Sequence, residues 1–198
     1  MPVAAVEVGE AEIRKAWETG DLDAAMTRAF ERYADELYGF LRGLGRDPVQ
    51  ADEAFSAMCE RIWRGLPNFR WDSTFRVWAY RIARNEFLRT TREVARARRA
   101  VPLSDIPSVK RIVAQVRSTT PPYQRDDVRD KFAAVRAQLP PDDLVLLGMR
   151  IEHKMAWDQI ALVLAGEDAP PTPKDVAALR KRFERLKTKL RGLLRDKA

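Results

Sequence analysis

The sequence predicts an all-α protein built from two small helical domains joined by a linker. Apolar residues recur at three- and four-residue spacing over long stretches, which is typical of amphipathic helices. The 198 residues include only 9 Gly, and alternating apolar and polar runs are scarce, which argues against an all-β sandwich or barrel. Residues 100–126 carry four prolines among Ser and Thr and therefore indicate a linker, although a short amphipathic helix within it stays open.

The first domain is expected over residues 21–99, after an N-terminal extension over 1–20 that includes a short helix at about 10–18. Apolar side chains mark one face of a helix over roughly 22–43. Asp47-Pro48-Val49-Gln50 supplies an N-cap, a Pro for the first helical position and a capping-box Gln, and so opens a helix that runs to about Trp63. After a loop, Ser73 is expected to cap a third helix that continues through Arg99.

The second domain is expected over residues 127–198, with helices near 127–138, 142–151, 156–165 and 173–195. A short helix from Ala156 to Leu164, a turn to Pro171 and the helix-start signature Thr172-Pro173-Lys174-Asp175 together predict a helix-turn-helix. The buried side of its second helix is expected to carry Leu179, Phe183, Leu186 and Leu190.

Charge is distributed unevenly along the chain, although the whole has 36 Lys+Arg against 29 Asp+Glu and a net charge of +7. Residues 1–60 hold 6 basic and 13 acidic side chains, residues 61–99 hold 11 and 3, and residues 174–198 hold 10 and 3. The two basic segments suit nucleic-acid phosphates. The acidic segment suits docking onto a basic protein surface, and a plain solvated helix face explains it nearly as well.

Several other classes of protein do not fit the sequence. One Cys and one His cannot build a disulfide or a structural zinc site, so we expect no metal and no cofactor, with only an all-carboxylate site left open. Cys59 is expected to be a buried inert thiol and His153 a surface residue. Phosphate-loop, dinucleotide-binding and nucleophile-elbow motifs are missing, and no catalytic activity is expected. Without a long apolar run or the layout of a secretory signal, we expect a soluble cytoplasmic protein and no membrane partner.

Two stretches, about 25–99 and 127–194, resemble the extracytoplasmic-function sigma factors, which are promoter-recognition subunits of bacterial RNA polymerase. Residues 69–85 read FRWDSTFRVWAYRIARN and look like the strand-opening loop and helix of the family, usually F-R-x-x-S-x-F-x-x-W-L-Y-R-I-A-x-N. The segment from Asp47 to Trp63 looks like the polymerase-binding helix. Leu139-Pro140-Pro141 and Ile160-Ala161 match elements of the family's DNA-binding domain.

The resemblance implies a sigma factor whose first domain docks on polymerase and melts and reads the minus-ten element, and whose helix-turn-helix reads the upstream element. The upstream element would be bound by Lys174, Arg180, Lys181, Arg182, Arg185, Lys187 and Lys189. The melted element would be bound by Phe69, Arg70, Trp71, Asp72, Ser73, Arg76, Arg81, Arg84, Asn85 and Arg89. Polymerase would be bound by Asp47, Asp52, Glu53, Glu60 and Trp63.

Among these residues, Asn85 matches the base-reading Asn of the family, and its amide both donates and accepts hydrogen bonds. Arg180, Lys181 and Arg182 are expected to read base edges, and Arg185 either to read a base or to hold a phosphate. Lys187, Lys189 and the arginines of the third helix are expected to meet phosphates. Trp71 is predicted to be the most exposed aromatic of the loop, while Phe75, Trp78 and Tyr80 are predicted to be core. The implied partners are core polymerase through its β′ coiled coil, double- and single-stranded promoter DNA, and an anti-sigma factor.

The sequence departs from the family pattern in three places. The expected acidic-Leu-x-Gln-Glu run reads Asp52-Glu53-Ala54-Phe55-Ser56-Ala57, Ala156 replaces the usual Ser or Thr cap, and the turn over 165–171 is extended. The competing interpretation is a helix-turn-helix regulator that binds operator DNA without polymerase. Such a regulator would need a ligand cavity in the first domain, and the basic residues of segment 61–99 are poorly suited to line one.

Overall fold

The computed structural model describes residues 10–44, 47–94, 138–165 and 170–195. All regular structure within these ranges is helical, which confirms the predicted all-α fold. The chain divides into two compact units, Met1–Thr119 and Thr120–Ala198. The predicted linker and the helix near 127–138 lie outside the described residues.

The first unit contains four described α-helices: α1 (Ala11–Glu18), α2 (Leu22–Leu44), α3 (Pro48–Gly65) and α4 (Phe75–Val94). A single 3₁₀ turn, Leu66–Asn68, follows α3 directly. Helix α2 packs against all three of the others, and α3 packs along α4. Their shared core is made of large side chains that water does not reach, including Phe40, Leu41, Phe55, Met58, Ile62 and Tyr80. Burial of each such side chain contributes about 1.5–3 kcal/mol to folding.

Two predicted helix starts can be compared with the structure. The start of α3 is confirmed, because Asp47 Oδ1 accepts the Val49 backbone N–H at 2.9 Å and Pro48 takes the first helical position. Gln50 does not complete a capping box: its amide instead donates to the Thr91 hydroxyl on α4 at 2.8 Å. The predicted cap of the next helix was wrong by one residue, because Thr74 rather than Ser73 accepts a backbone N–H, that of Val77, at 3.2 Å. Residues 95–99 lie outside the described part.

The described part of the second unit contains α5 (Pro141–Leu147), α6 (Trp157–Leu164) and α7 (Pro173–Arg195). A wider π-helical turn, Gly148–Glu152, extends α5. These bounds confirm the helices predicted near 142–151, 156–165 and 173–195. The core includes Leu146, Met149 and Ile160, against which α7 buries Phe183 and Leu186. Leu179 and Leu190, which were predicted on the same side, are only half-buried.

The two helices of the helix-turn-helix begin differently. Ala156 has no side-chain acceptor, so the start of α6 has only a bond from the Ala156 N–H to Gln159 Oε1 at 3.1 Å. Helix α7 begins with a reciprocal pair, in which the Thr172 N–H donates to Asp175 Oδ2 at 2.7 Å and the Asp175 N–H donates to Thr172 Oγ1 at 3.4 Å. The predicted helix-start signature is therefore confirmed. Residues 166–169 of the turn lie outside the described ranges.

The two residues singled out for their side-chain chemistry can also be located. Cys59 is fully buried, and burial raises the pKa of its thiol well above the usual range, which confirms the predicted inert thiol. His153 is half-buried rather than a fully exposed surface residue. Across the described ranges we find neither a cluster of His, Cys, Asp or Glu suited to a metal ion nor a helix with the length and apolar character that crossing a bilayer requires.

Candidate nucleic-acid interface

The start of α4 is fixed by a carboxylate from the far N-terminal part of the chain. Glu10 is fully buried, and its two oxygens accept the backbone N–H groups of Phe75 and Arg76, each at 2.8 Å. The Tyr33 hydroxyl donates to the same carboxylate at 3.1 Å. These N–H groups belong to the first turn, which lacks intrahelical acceptors, and the helix dipole favours negative charge there. The sequence analysis missed Glu10, because no pattern links it to a position 65 residues later.

The loop between α3 and α4 has an aromatic base. Phe69 stacks on Trp78 with ring centroids 4.6 Å apart, and Trp71 lies 4.8 Å from Phe69. Trp71 is only 6% exposed, so the prediction that it is an exposed aromatic was wrong. Its ring is enclosed by Trp17 at 6.1 Å and by the Arg14 guanidinium at 5.5 Å. Tertiary packing against α1, which the local sequence does not reveal, is the reason.

Trp71 adopts an unfavourable conformation. Its φ of 56° lies in the left-handed region, which costs a residue with a β-carbon about 1–2 kcal/mol. Its indole N–H is buried, and no hydrogen-bond acceptor lies within reach of it among the described residues. Contacts from α1 and from Phe69 must offset the cost of the left-handed backbone, because nothing in the residue's own backbone favours the conformation.

The polar residues of the same loop face solvent. Arg70 and Asp72 are exposed and form a 3.0 Å ion pair between Nη2 and Oδ2. Ser73 is partly exposed. The loop therefore presents an exposed polar rim above a buried aromatic base. Phe75 and Tyr80 are buried as predicted, while Trp78 is half-buried.

One face of α4 carries three of the five residues of this helix that were predicted to bind the melted element. At 100° per residue, Arg81, Asn85 and Arg89 fall within about 80° of one another. Asn85 is exposed, and its amide oxygen accepts a hydrogen bond from Arg84 Nη1 at 3.3 Å. Arg81, Arg84 and Arg89 are half-buried, and Arg89 Nε donates to the buried Glu86 carboxylate at 2.7 Å.

Arg76 does not join this face, although it was predicted to contact phosphates. Its guanidinium binds both carboxylate oxygens of Glu36 on α2, with Nε 3.0 Å from Oε1, and its side chain is only 13% exposed. Tyr80 donates to the same carboxylate at 2.8 Å, and burial together with Glu36 raises the pKa of Tyr80. The physical reason is helical phase: Arg76 precedes Asn85 by two and a half turns and so lies on the opposite side of α4.

The residues predicted to bind polymerase share one side of α3. Asp52, Glu53, Glu60 and Trp63 fall within about 100° of the helix circumference, and all four are half-buried. Asp52 accepts the Tyr38 hydroxyl at 2.7 Å, and Glu60 pairs with Arg64. Asp47 is exposed, but its carboxylate is used as the cap of the helix.

The outer side of α7 is strongly basic. Lys174, Lys181 and Arg185 are exposed and fall within about 40° of one another, on the side of the helix opposite the buried Phe183. Arg180 and Lys189 are exposed on its flanks. Lys187 is half-buried, and its Nζ lies 2.8 Å from Glu184 Oε1.

Arg182, which was predicted to read base edges, is placed differently from its basic neighbours. Its Nε and Nη2 lie 2.9 Å and 2.6 Å from Asp143 Oδ1, so the side chain ties α7 to α5. Arg182 precedes the buried Leu186 by one turn and therefore lies at the edge of the apolar stripe. The spacing to Leu186 was the sequence signal that could have distinguished Arg182 from Arg185.

The chain is similar to known proteins in sequence and in fold. The family model described as Sigma-70 region 2 matches residues 29–98. The chain is 28% identical over 148 residues to the RNA polymerase sigma-H factor of Pseudomonas aeruginosa, a match that covers 69% of this chain and 75% of the relative. The solved structure of CnrH in complex with the cytosolic domain of CnrY has a similar fold, with a TM-score of 0.61, 19% identity and coverage of 96% of this chain and 99% of that one.

Proposed function

We propose that the chain is an extracytoplasmic-function sigma factor of RNA polymerase, whose first unit docks on polymerase and opens the promoter and whose second unit reads the upstream element. Core polymerase and promoter DNA are therefore its partners, and a regulator that acts without polymerase is not favoured. The family is not one of enzymes, and on our proposal the chain performs no catalysis of its own and works in the cytoplasm beside its polymerase.

Asn85 carries the proposal for the melted element. It is the exposed amide on a face of α4 whose neighbours are Arg81, Arg84 and Arg89. An asparagine that donates and accepts can read the pairing edge of an unstacked base, while nearby arginines neutralise the strand's phosphates. The loop supports the same function, since its aromatic base of Phe69 and Trp71 would back a base pocket whose rim is formed by Arg70, Asp72 and Ser73.

Docking on polymerase is assigned to the exposed edge of α3. Its support is that Asp52, Glu53, Glu60 and Trp63 share one side of the helix and that acidic residues dominate the chain up to residue 60. An acidic edge with one aromatic side chain suits a basic helical partner, and we assign it to the β′ coiled coil of the polymerase.

Reading of the upstream element is assigned to the outer side of α7. Lys181 and Arg185 project away from the core, where a helix lying in the major groove presents side chains to base edges. Lys174, Arg180, Lys187 and Lys189 would contact phosphates on either side.

The proposal also includes control of the chain by an anti-sigma factor. CnrH was solved in complex with the cytosolic domain of CnrY, and a similar fold covers 96% of the present chain. We propose that a partner of this kind holds the present chain away from polymerase. Co-purification of a partner that blocks binding to core polymerase is the expected observation, and a chain that reaches polymerase unhindered in cell extracts would oppose it.

The melted-element assignment is tested by binding of the polymerase complex to single-stranded oligonucleotides that vary at one base of that element at a time. Relative to the parent, N85A should lose preference at one position, by about fivefold or more as expected for a bidentate base contact. T27A, which removes an exposed polar side chain on α2, is the matched control. Equal losses on every oligonucleotide would show that Asn85 contacts only the backbone.

A further inference from the structure

Both ends of the loop over residues 66–75 are bonded to the N-terminal segment formed by Glu10 and α1. Trp17 Nε1 donates to the Leu66 carbonyl at 2.8 Å, at the start of the loop. Glu10 accepts the N–H groups of Phe75 and Arg76 at its end. We infer that this segment is the positioning element of the base-reading loop, with Glu10 as its main positioning residue. The inference rests on the proposed function of that loop.

Glu10 suits this role because a single buried carboxylate satisfies donors from two helices. Each of its oxygens accepts one N–H of the first turn of α4, and the Tyr33 hydroxyl on α2 adds a third bond. A glutamine at this position would point its NH₂ group at one of those N–H groups, because an amide has only one accepting oxygen. Since Glu10 is fully buried, water cannot simply replace the lost bond.

The middle of the loop is held by the same helix. Trp71 packs edge-to-face on Trp17 and under the Arg14 guanidinium, and Arg14 is itself kept in place by a 2.8 Å ion pair with Glu18. The left-handed backbone of Trp71 makes the loop conformation unfavourable by itself. It persists because α1 encloses the ring, so the loop's shape depends on contacts outside the loop.

Apart from Trp71, the residues that make these contacts lie away from the surface proposed to meet DNA. Glu10 is buried and Trp17 is half-buried, whereas Arg70, Asp72 and Asn85 are exposed. Loss of the N-terminal contacts therefore leaves every proposed DNA-binding side chain present and displaces only the loop relative to α4. The expected defect is relaxed base preference at the melted element, with binding to core polymerase and to the upstream element unchanged.

The test compares E10Q with the parent and with E12Q, which makes the same change at an exposed residue of α1. Each variant is assembled with core polymerase, and its preference among single-base variants of a single-stranded melted-element oligonucleotide is measured beside its affinity for core polymerase and for upstream duplex. We expect E10Q to lose about tenfold of its base preference, within the range of one base contact, and E12Q to lose none. If Glu10 only stabilised the fold, E10Q would lower the base preference and both affinities together, because a smaller fraction of the chain would be folded.

Two milder variants test the same inference if E10Q does not fold. Y33F removes the hydroxyl while keeping the ring stacked on Phe75, and W17F removes the bond to Leu66 while keeping an aromatic ring beside Trp71. Relaxed base preference with normal core binding in either variant supports the inference. Parent-like preference in folded E10Q, or in both Y33F and W17F, overturns it. If the parent itself shows no base preference, the proposed function of the loop fails instead.

Discussion

At the scale of single residues, ion pairs that join two helices distinguish Arg76 and Arg182 from the exposed Arg185. Arg76 binds Glu36 and Arg182 binds Asp143, so each ties two helices together. Arg185 is exposed and lies on the outer side of α7. Residues of one type within a few positions of each other therefore have different roles, because the helical phase places one at the edge of the core and another in solvent.

This difference predicts opposite consequences for two neighbouring substitutions. R182A should lower the stability of the second unit by about 1 kcal/mol, the upper range for a partly exposed ion pair, and leave promoter preference unchanged. R185A should leave stability within about 0.5 kcal/mol of the parent and relax preference at one upstream base pair by about 1–3 kcal/mol. Thermal unfolding and the binding of polymerase complexes to upstream point variants measure the two effects. Relaxed preference in R182A with unchanged stability would contradict the assignment.

Residues whose environment depends on their own helix could be predicted from the sequence, and those that depend on distant contacts could not. The exposure of Asn85 and the burial of Cys59, Phe75 and Tyr80 follow from helical spacing. Trp71 was placed in solvent because the loop sequence carries no sign of α1 above it. Glu10 was missed for the same reason, since its partners lie on α4 and α2.

At the scale of elements, the start of α7 is stabilised by hydrogen bonds between residues close in sequence. Thr172 and Asp175 satisfy each other's backbone N–H groups, and Pro173 takes the first helical position. The Asp175 carboxylate accepts hydrogen bonds from the hydroxyl and the backbone N–H of Thr172, and these bonds lower the pKa of Asp175. Helix α6 has no equivalent side-chain cap, so α7 has the better-defined start of the two.

The pair predicts a pH-dependent stability for α7. Because the folded pKa of Asp175 is lowered, its contribution is fully present above its unfolded pKa of about 4 and is lost as the pH falls through the folded value. T172A should destabilise the helix start by about 1 kcal/mol, whereas T188A, which removes an exposed threonine in mid-helix, should cost less. D175N should abolish this part of the acid-induced loss. Circular dichroism against temperature and pH tests both expectations, and identical acid profiles for D175N and the parent would refute the second.

Helix bounds were predicted well because caps and apolar periodicity are local signals. The starts of α3 and α7 are coded by Asp47-Pro48 and by Thr172-Pro173, and both are confirmed. Gln50 was predicted wrongly because its partner is distant in sequence. It occupies the capping-box position of α3, but its amide donates to the Thr91 hydroxyl on α4 instead.

At the scale of the whole molecule, opposite charges occupy successive parts of the chain. Residues 1–60 hold 13 acidic against 6 basic side chains, and residues 61–99 hold 3 against 11. Within the first unit the acidic edge of α3 and the basic face of α4 therefore suit a basic protein and a nucleic acid respectively. On the proposed function, this separation would let one small unit bind polymerase and DNA at the same time.

Reversal of the acidic edge predicts a selective loss of polymerase binding. D52K combined with E53K should weaken affinity for core polymerase by about tenfold or more, because like charges would then face each other at the interface. D23K combined with E31K makes the same change in net charge at exposed residues of α2 and is the control. Affinity is measured by fluorescence titration of labelled chain with core polymerase. If both double variants weaken binding equally, overall charge rather than the edge of α3 governs docking.

The most direct test of the account is transcription by purified core polymerase and this chain from a promoter library randomised in both elements. The account predicts initiation at a set of promoters that share an upstream and a minus-ten element. N85A should relax one base of the minus-ten element only, and R185A one base pair of the upstream element only. Initiation without sequence preference, or relaxation of the same positions by both variants, would contradict the division of promoter recognition between α4 and α7.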